Sequence, residues 1–281
     1  MPGTFDTRVY PLVDEIDDQW DPEVRGLHWA NRRNVIENLA HQYGEADIGR
    51  KLAEFAVLGP EPFSVVAYHT HFFRQVRNAF VIRSYYPALT GACALGERIL
   101  NHLIRALRDD FKSTAEYKTV YDKVSFDNWA VAIDVLDSWG VLLPDIAASF
   151  RKLAQERNKA LHFRPETDDN ARELALGAIR ILASIIEKQF GSLSAGPWYM
   201  DDTPGESYLK HDAEALPFVK RVIIPSASAL HVGPLHEIAM SDSTGLWVVT
   251  EVGDGGPVEG SDAAFLVLLR EHRSGGTAVA E

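Results

Sequence analysis

The segment ALTGACALGERILNHLIRALRDDF, residues 88–111, most constrains the fold because it is apolar on most sides of a helix. Its large aliphatic residues Leu95, Ile99, Leu103 and Leu107 recur every four residues, a spacing that predicts a helix rather than a strand. A helix that lacks a wide polar face is buried among other elements. The sequence therefore predicts a mostly buried helix within a mainly α fold.

Proline and glycine divide the neighbouring sequence into further helical segments. Gly140 is a typical C-terminal stop, Pro144 suits the first turn of a helix, and Pro165 disfavours helix at the residue before it. Pro87 is expected to break or kink the helix that precedes it. The apolar periodicity predicts helices over residues 29–43, 45–59, 64–86, 126–140, 144–163 and 171–191.

The composition changes after Gly191, where SLSAGPWYMDDTPGES is rich in residues typical of loops. Four short β-branched or apolar runs follow between turn residues, and such runs favour strands: FVKRVIIP, ALHVG, GLWVVTEV and AAFLVLLREH. We therefore expect a small strand-rich module after the helices, α+β overall. The expected domains are an N-terminal helical extension (1–60), a helical domain (61–191), a linker (192–206) and the strand-rich module (207–281).

The chain has 281 residues and a formal net charge of −12, with 46% hydrophobic and 24% charged residues. Such a charge repels polyanions and excludes a protein that coats nucleic acid through a broad basic surface, although local binding stays possible. The single cysteine, Cys93, excludes an intrachain disulfide and a cysteine-rich zinc site. The sequence shows neither a basic leader with an apolar run nor a long apolar stretch, so we expect a cytoplasmic protein without membrane contact.

The segment ERNKALHF, residues 156–163, places polar side chains at the end of a predicted helix. Arg157 falls on the apolar stripe of that helix, where an unpaired guanidinium is costly to bury. It therefore needs a carboxylate, a groove or another subunit as its partner, and Glu97 is the candidate carboxylate. Asn158 and His162 are about 40° apart on the helical wheel and share a face, whereas Arg157 and His162 are about 140° apart.

This segment resembles the signature of HEPN domains, an arginine, a polar residue, three variable residues and a histidine, here running from Arg157 to His162. HEPN domains are all-α proteins of prokaryotic toxin–antitoxin, CRISPR-associated and anti-phage systems. The context is similar as well, because a short loop with Pro165 and a strongly apolar helix follow the motif. The resemblance covers residues 88–191. One subgroup carries a modified tyrosine two places after the histidine; Arg164 stands there in this chain, so that regulation is not expected.

The resemblance implies a HEPN-like helical bundle that acts as a metal-independent endoribonuclease, with the motifs of two chains in one cleft. His162 would act as general base toward the ribose 2′-hydroxyl or as general acid toward the leaving 5′-oxygen. Arg157 would bind the phosphate as negative charge develops, and Asn158 would orient a histidine or the RNA backbone. The implied partners are RNA in a local cleft, a second copy of the chain and a protein regulator. The resemblance implies no cofactor and no metal.

The same residues allow other interpretations. His162 could satisfy free carbonyls at the helix end, Asn158 could cap it, and Arg157 could close an ion pair across the core. A catalytically inactive HEPN-like scaffold would bind a nucleotide, an RNA or a protein in the same cleft, and an interaction protein would use its acidic surface. His69 and His71 could share a metal on a strand, but two apart on a helix they point in different directions.

Overall fold

The computed structural model describes residues 3–126, 128–161, 169–191, 196–201, 208–229, 236–243, 247–251, 262–263, 266–267 and 270. The fold is mainly helical, as the sequence predicts. Across these ranges, no helix has both the length and the apolar character needed to cross a bilayer. The helices are α1 (Val9–Val13), α2 (Pro22–Tyr43), α3 (Ile48–Val57), α4 (Ala67–Val81), α5 (Tyr85–Leu107), α6 (Tyr117–Val120), α7 (Trp129–Ser138), α8 (Pro144–Leu161) and α9 (Ala171–Phe190).

Helix α5 lies at the centre of the bundle, which explains its apolar sequence. It packs against α4, α7, α8 and α9, and Leu95, Ile99, Leu103 and Leu107 are all buried. Burying one such side chain stabilises the fold by about 1.5–3 kcal/mol before entropic costs. The prediction of a mostly buried helix in this segment is confirmed. One continuous core includes these residues and extends to the N-terminal helices α1, α2 and α3.

Two of the predicted helix boundaries follow from single residues. Gly140 has a φ of +66°, a left-handed conformation that glycine adopts without strain, and it follows α7 closely. Helix α8 begins at Pro144, where the missing N–H of proline removes no hydrogen bond of the helix. Both predicted boundaries are confirmed.

The predicted helix over residues 64–86 is wrong at its C-terminal end. Helix α4 ends at Val81, and Arg83 has a φ of +66°, which no α-helix can continue through. Helix α5 then begins at Tyr85, so Pro87 lies in its first turn, where proline is tolerated. The chain therefore turns between two helices several residues before the proline that was expected to break it.

A small three-stranded sheet joins an N-terminal strand to two strands from the C-terminal part of the chain. Strand β1 (Gly3–Phe5) pairs antiparallel with β3 (Trp247–Glu251), which also pairs antiparallel with β2 (His236–Met240). The strand order is β1-β3-β2. The GLWVVTEV run thus contributes β3, the central strand. One of its two neighbours, β1, comes from the N-terminal segment of the chain.

The FVKRVIIP run is not a strand, which corrects the prediction. Val219–Ile223 forms a π-helical turn, and Ile224–Ala229 continues as a 3-10 helix. Val219 and Ile223 are four residues apart and fully buried, while Lys220 and Arg221 between them are exposed, a helical pattern of burial. Packing of one face against the bundle therefore outweighs the β-propensity of the run.

The other two runs also fail to supply predicted strands within the described residues. Ala263, Leu266, Val267 and Arg270 of AAFLVLLREH have helical backbone. Most of ALHVG, residues 230–233, lies outside the described part of the chain. The described portion of the predicted strand-rich module is therefore more helical than stranded.

Candidate functional site

Arg157 lies on the inner flank of α8 and meets the carboxylate that the sequence suggested. Its Nη2 atom is 3.3 Å from Oε2 of Glu97 on α5. The guanidinium carbon also lies 5.8 Å from the centre of the Trp129 ring, within the range of a cation–π contact. We call Arg157, Glu97 and Trp129 the Arg157 cluster.

Glu97 is itself held in place by the other members of the cluster. Trp129 donates a hydrogen bond from Nε1 to Oε2 of Glu97 at 3.0 Å, so the same oxygen faces both the indole and the guanidinium. Trp129 is 4% exposed, whereas the Arg157 side chain is 25% exposed. The buried indole therefore forms a fixed base, and the arginine keeps access to solvent.

The first turn of α7 fixes the position of Trp129. Asn128 caps this helix, because its side chain accepts a hydrogen bond from the backbone N–H of Ala130 at 3.1 Å. The preceding Phe126 is tied to α5 by Asn101, which accepts from its N–H at 2.7 Å and donates to its carbonyl at 3.2 Å. Three helices, α5, α7 and α8, thus contribute to the Arg157 cluster.

Gly96 allows these helices to approach closely. A Cβ atom at this position would lie 2.7 Å from Cδ2 of Leu153 on α8 and 2.9 Å from Cη2 of Trp129. Both distances are shorter than any ordinary carbon–carbon contact. The missing side chain next to Glu97 is therefore what lets α5 lie against both neighbours.

Asn158 is the other predicted site residue that the structure describes. Asn158 is exposed, and the neighbouring Lys159 forms an ion pair with Glu156 at 2.9 Å along α8. His162 lies outside the described residues, immediately after the last residue of α8. The structure thus brings Arg157 and Glu97 together, and the predicted position of His162 beside them stays a prediction.

Cys93 lies one turn before Glu97 on α5, and its side chain is buried. Burial raises the pKa of its thiol to about 12, and the positive charge of Arg157 opposes this only in part. A guanidinium has five N–H donors in a planar fork. In Arg157 the Nη2 nitrogen faces Glu97, so the N–H groups of Nε and Nη1 could donate to a phosphate.

Trp129 is the residue of the cluster that the sequence analysis did not single out. Nothing in the helical period indicates that the indole of Trp129 bonds a carboxylate on another helix. His69 is buried and its Nδ1 lies 2.9 Å from Oγ of Ser64, whereas His71 is exposed and contacts Gln75. The two histidines thus occupy different environments on α4, as expected for a helix.

Comparison of the chain with known protein families, with curated proteins and with solved structures finds no match. The fold and the site define a mainly helical protein with a partly exposed, ion-paired arginine near the end of a long helix.

Proposed function

We propose that this chain is a HEPN-type, metal-independent endoribonuclease that works as a homodimer in a bacterial stress, toxin or phage-defence setting. The observation that carries the proposal is the Arg157 cluster: a permanent cation, fixed by Glu97 and Trp129, with a quarter of its side chain in solvent. A cation that is both fixed and accessible is suited to bind a phosphate group. Arg157 lies about one turn before Leu161, the last residue of α8, and the motif histidine His162 is the next residue in the sequence.

In the proposed reaction, the ribose 2′-hydroxyl attacks the adjacent phosphorus atom and the bond to the 5′-oxygen breaks. His162 takes the proton from the hydroxyl or donates one to the leaving oxygen, because imidazole titrates near neutral pH. Arg157 stabilises the charge on the non-bridging oxygens, and Asn158 orients the histidine or the RNA. The products carry a cyclic phosphate and a 5′-hydroxyl, and DNA is not cleaved because it lacks the attacking group.

The proposed site is shared by two chains, as the HEPN resemblance implies. A net charge of −12 opposes the approach of RNA, and Glu97 offsets part of the positive charge of Arg157. A second Arg157 from a symmetry-related copy would give the cleft a second guanidinium for the phosphate, although its Glu97 comes with it. A closed dimer with two-fold symmetry brings identical surfaces together in this way.

The test compares Arg157→Ala and His162→Ala with a matched variant on the same helix. Arg151→Ala is the control, because Arg151 is an exposed arginine of α8 that pairs with Asp134 at 2.8 Å and Asp137 at 3.4 Å. Arg157→Ala and His162→Ala should each slow cleavage of labelled RNA by about a hundredfold or more, a typical loss for one transition-state contact. Arg151→Ala should cleave at the wild-type rate, and overexpression of the wild-type protein, but not of the two site variants, should be toxic.

The second candidate is a HEPN-like scaffold that binds a nucleotide, an RNA or a protein without cleaving it. The contact with Glu97 favours this reading, because an ion pair next to a buried indole also stabilises a fold. Under that reading, Arg157→Ala would lower the thermal midpoint, and RNA would remain intact with the wild-type protein. Dimerisation, measured by light scattering, and RNA affinity, measured by fluorescence anisotropy, would then decide what the scaffold binds.

A further inference from the structure

The solvent side of α5, where it borders α4, carries a row of three basic side chains. Arg98, His102 and Arg105 are all exposed, and their spacing places them within about 60° of one another around the helix axis. The row is about 10 Å long. Glu97 precedes it by one residue but lies about 80–140° away around the axis, on the side of the Arg157 cluster. The row is therefore a surface separate from that cluster.

Two aromatic side chains of α4 lie behind this row. The guanidinium carbon of Arg98 is 4.8 Å from the centre of the Phe72 ring, and the imidazole of His102 is 4.8 Å from the ring of Tyr68, at an interplanar angle of 37°. Tyr68 and Phe72 are partly buried and pack against the core. The guanidinium and the imidazole therefore form an outer layer of flat groups supported by inner rings. We call Tyr68, Phe72, Arg98, His102 and Arg105 the basic ledge.

The positive charge of the ledge is not offset by nearby acids. In the part of the chain that the structure describes, neither arginine of the ledge forms an ion pair with a carboxylate. The acids at the end of α5 have other partners, since Asp109 lies 3.3 Å from Lys112. Asp110 likewise lies 3.0 Å from Arg221. The two guanidinium groups therefore form a local positive patch on a protein whose net charge is −12.

His102 is suited to stack on a ligand rather than to pair with an anion. Partial burial lowers the pKa of its imidazole below the usual value, and the charges of Arg98 and Arg105 lower it further. The ring is therefore neutral at pH 7. A neutral ring between two cations suits a ligand in which flat neutral groups alternate with negative charges.

We propose that the basic ledge binds single-stranded nucleic acid, with unpaired bases stacked on Arg98 and His102 and backbone phosphates bonded to the guanidinium groups of Arg98 and Arg105. Bases that are not paired stack on guanidinium planes and on histidine rings, and the arginine fork fits a phosphate. A duplex keeps its bases inside its own stack, and a run of acidic side chains offers charge alone. A single strand is the polyanion that uses both features of the ledge.

The experiment measures binding of labelled hexathymidylate DNA and hexauridylate RNA to the full-length protein by fluorescence anisotropy at several salt concentrations. DNA lacks the 2′-hydroxyl, so the ribonuclease proposed above would leave it intact during the measurement. Both strands should bind, and the logarithm of the affinity should fall with the logarithm of the salt concentration with a slope of about −1.4, as expected for two phosphate contacts. Similar affinities mean that the ledge does not read the ribose, whereas binding of the RNA alone would identify the strand as RNA.

Substitutions at exposed positions separate charge from stacking. Arg98→Ala and Arg105→Ala should each weaken binding and reduce the slope to about −0.7. His102→Ala should weaken binding about fivefold or more at an unchanged slope, because one stacked base is lost, and His102→Phe should restore it because a ring is kept. Arg33→Ala removes the same charge from an exposed position of α2 and should bind like the wild type.

Ala94 allows the opposite test, a gain of affinity. It is exposed one turn before Arg98, on the same side of α5. Ala94→Arg should tighten binding and steepen the slope to about −2.1, and Ala94→Glu should weaken binding by repulsion. Both variants keep every side chain of the ledge, so the proposal stays testable if an alanine variant misfolds.

Absence of binding to either strand at low salt would overturn the proposal. Polyglutamate that binds as tightly as the DNA, with His102→Ala like the wild type, would overturn it in favour of an acidic protein segment. The inference does not depend on the proposed ribonuclease. Arg157→Ala should bind hexathymidylate with wild-type affinity although it should lose RNA cleavage, so the two proposals fail separately.

Discussion

Replacing Gly96 with alanine should destabilise the protein, although alanine is the better helix former. Removing a glycine from an open helix position gains about 0.5–1 kcal/mol. At Gly96 the new Cβ would lie 2.7 Å from Leu153 Cδ2 and 2.9 Å from Trp129 Cη2, and both neighbours are buried. Overpacking of this kind costs about 1–3 kcal/mol, so the net loss should be about 1 kcal/mol.

Gly177 provides the matched control in α9. A Cβ at this position meets nothing within 4 Å, so Gly177→Ala should stabilise the protein by about 0.5–1 kcal/mol. Urea denaturation followed by circular dichroism measures both changes. Because Trp129 must shift in Gly96→Ala, RNA cleavage should fall as well. If Gly96→Ala is as stabilising as Gly177→Ala, the close approach of α5 to α7 and α8 is wrong.

Two further predictions concern buried polar groups elsewhere in the bundle. Glu54→Gln should cost about 1–3 kcal/mol in urea denaturation, because Arg172 loses the negative charge of its partner and the new amide nitrogen cannot accept the hydrogen bonds that one carboxylate oxygen accepts now. Glu173→Gln, at an exposed partner 3.4 Å away, should change little. Burial holds the pKa of His69 near 3, against 6.5 for a free imidazole, so the unfolded chain binds the extra proton in acid. The contribution of neutral His69 to the free energy of unfolding should be fully present above pH 6.5 and should decrease by up to about 1.4 kcal/mol per pH unit below it. His69→Phe should remove this decrease. An unchanged slope of stability against pH in that variant would refute the prediction.

The central part of the fold could be predicted because local patterns and burial agree there. The four-residue spacing in α5, the left-handed Gly140 and the start of α8 at Pro144 each depend on neighbouring residues alone. The contact between Arg157 and Glu97 could also be predicted, because a cation on an apolar stripe requires a partner such as a carboxylate.

The sequence was misleading where the packing of distant segments decides the structure. Val219 and Ile223 belong to a β-branched run, yet they pack as one face of a helical turn against the bundle. The break at Arg83 carries no glycine or proline signal. Such cases arise because β-propensity and turn propensity are weak compared with tertiary burial.

The functional contacts that were missed also join distant residues. The bond between Trp129 and Glu97 spans 32 positions of the chain, and Asn101 bonds the backbone of Phe126, 25 positions away. Only the packing of α7 against α5 reveals these contacts.

The most direct test of the central claim incubates the purified protein, in EDTA, with an RNA and with the same RNA 2′-O-methylated at every position. We predict cleavage of the first only, with a cyclic phosphate at the new 3′ end, and loss of cleavage in Arg157→Ala but not in Arg151→Ala. Cleavage of the methylated RNA, or wild-type activity in Arg157→Ala, would contradict the assignment of Arg157 to a site of 2′-hydroxyl attack.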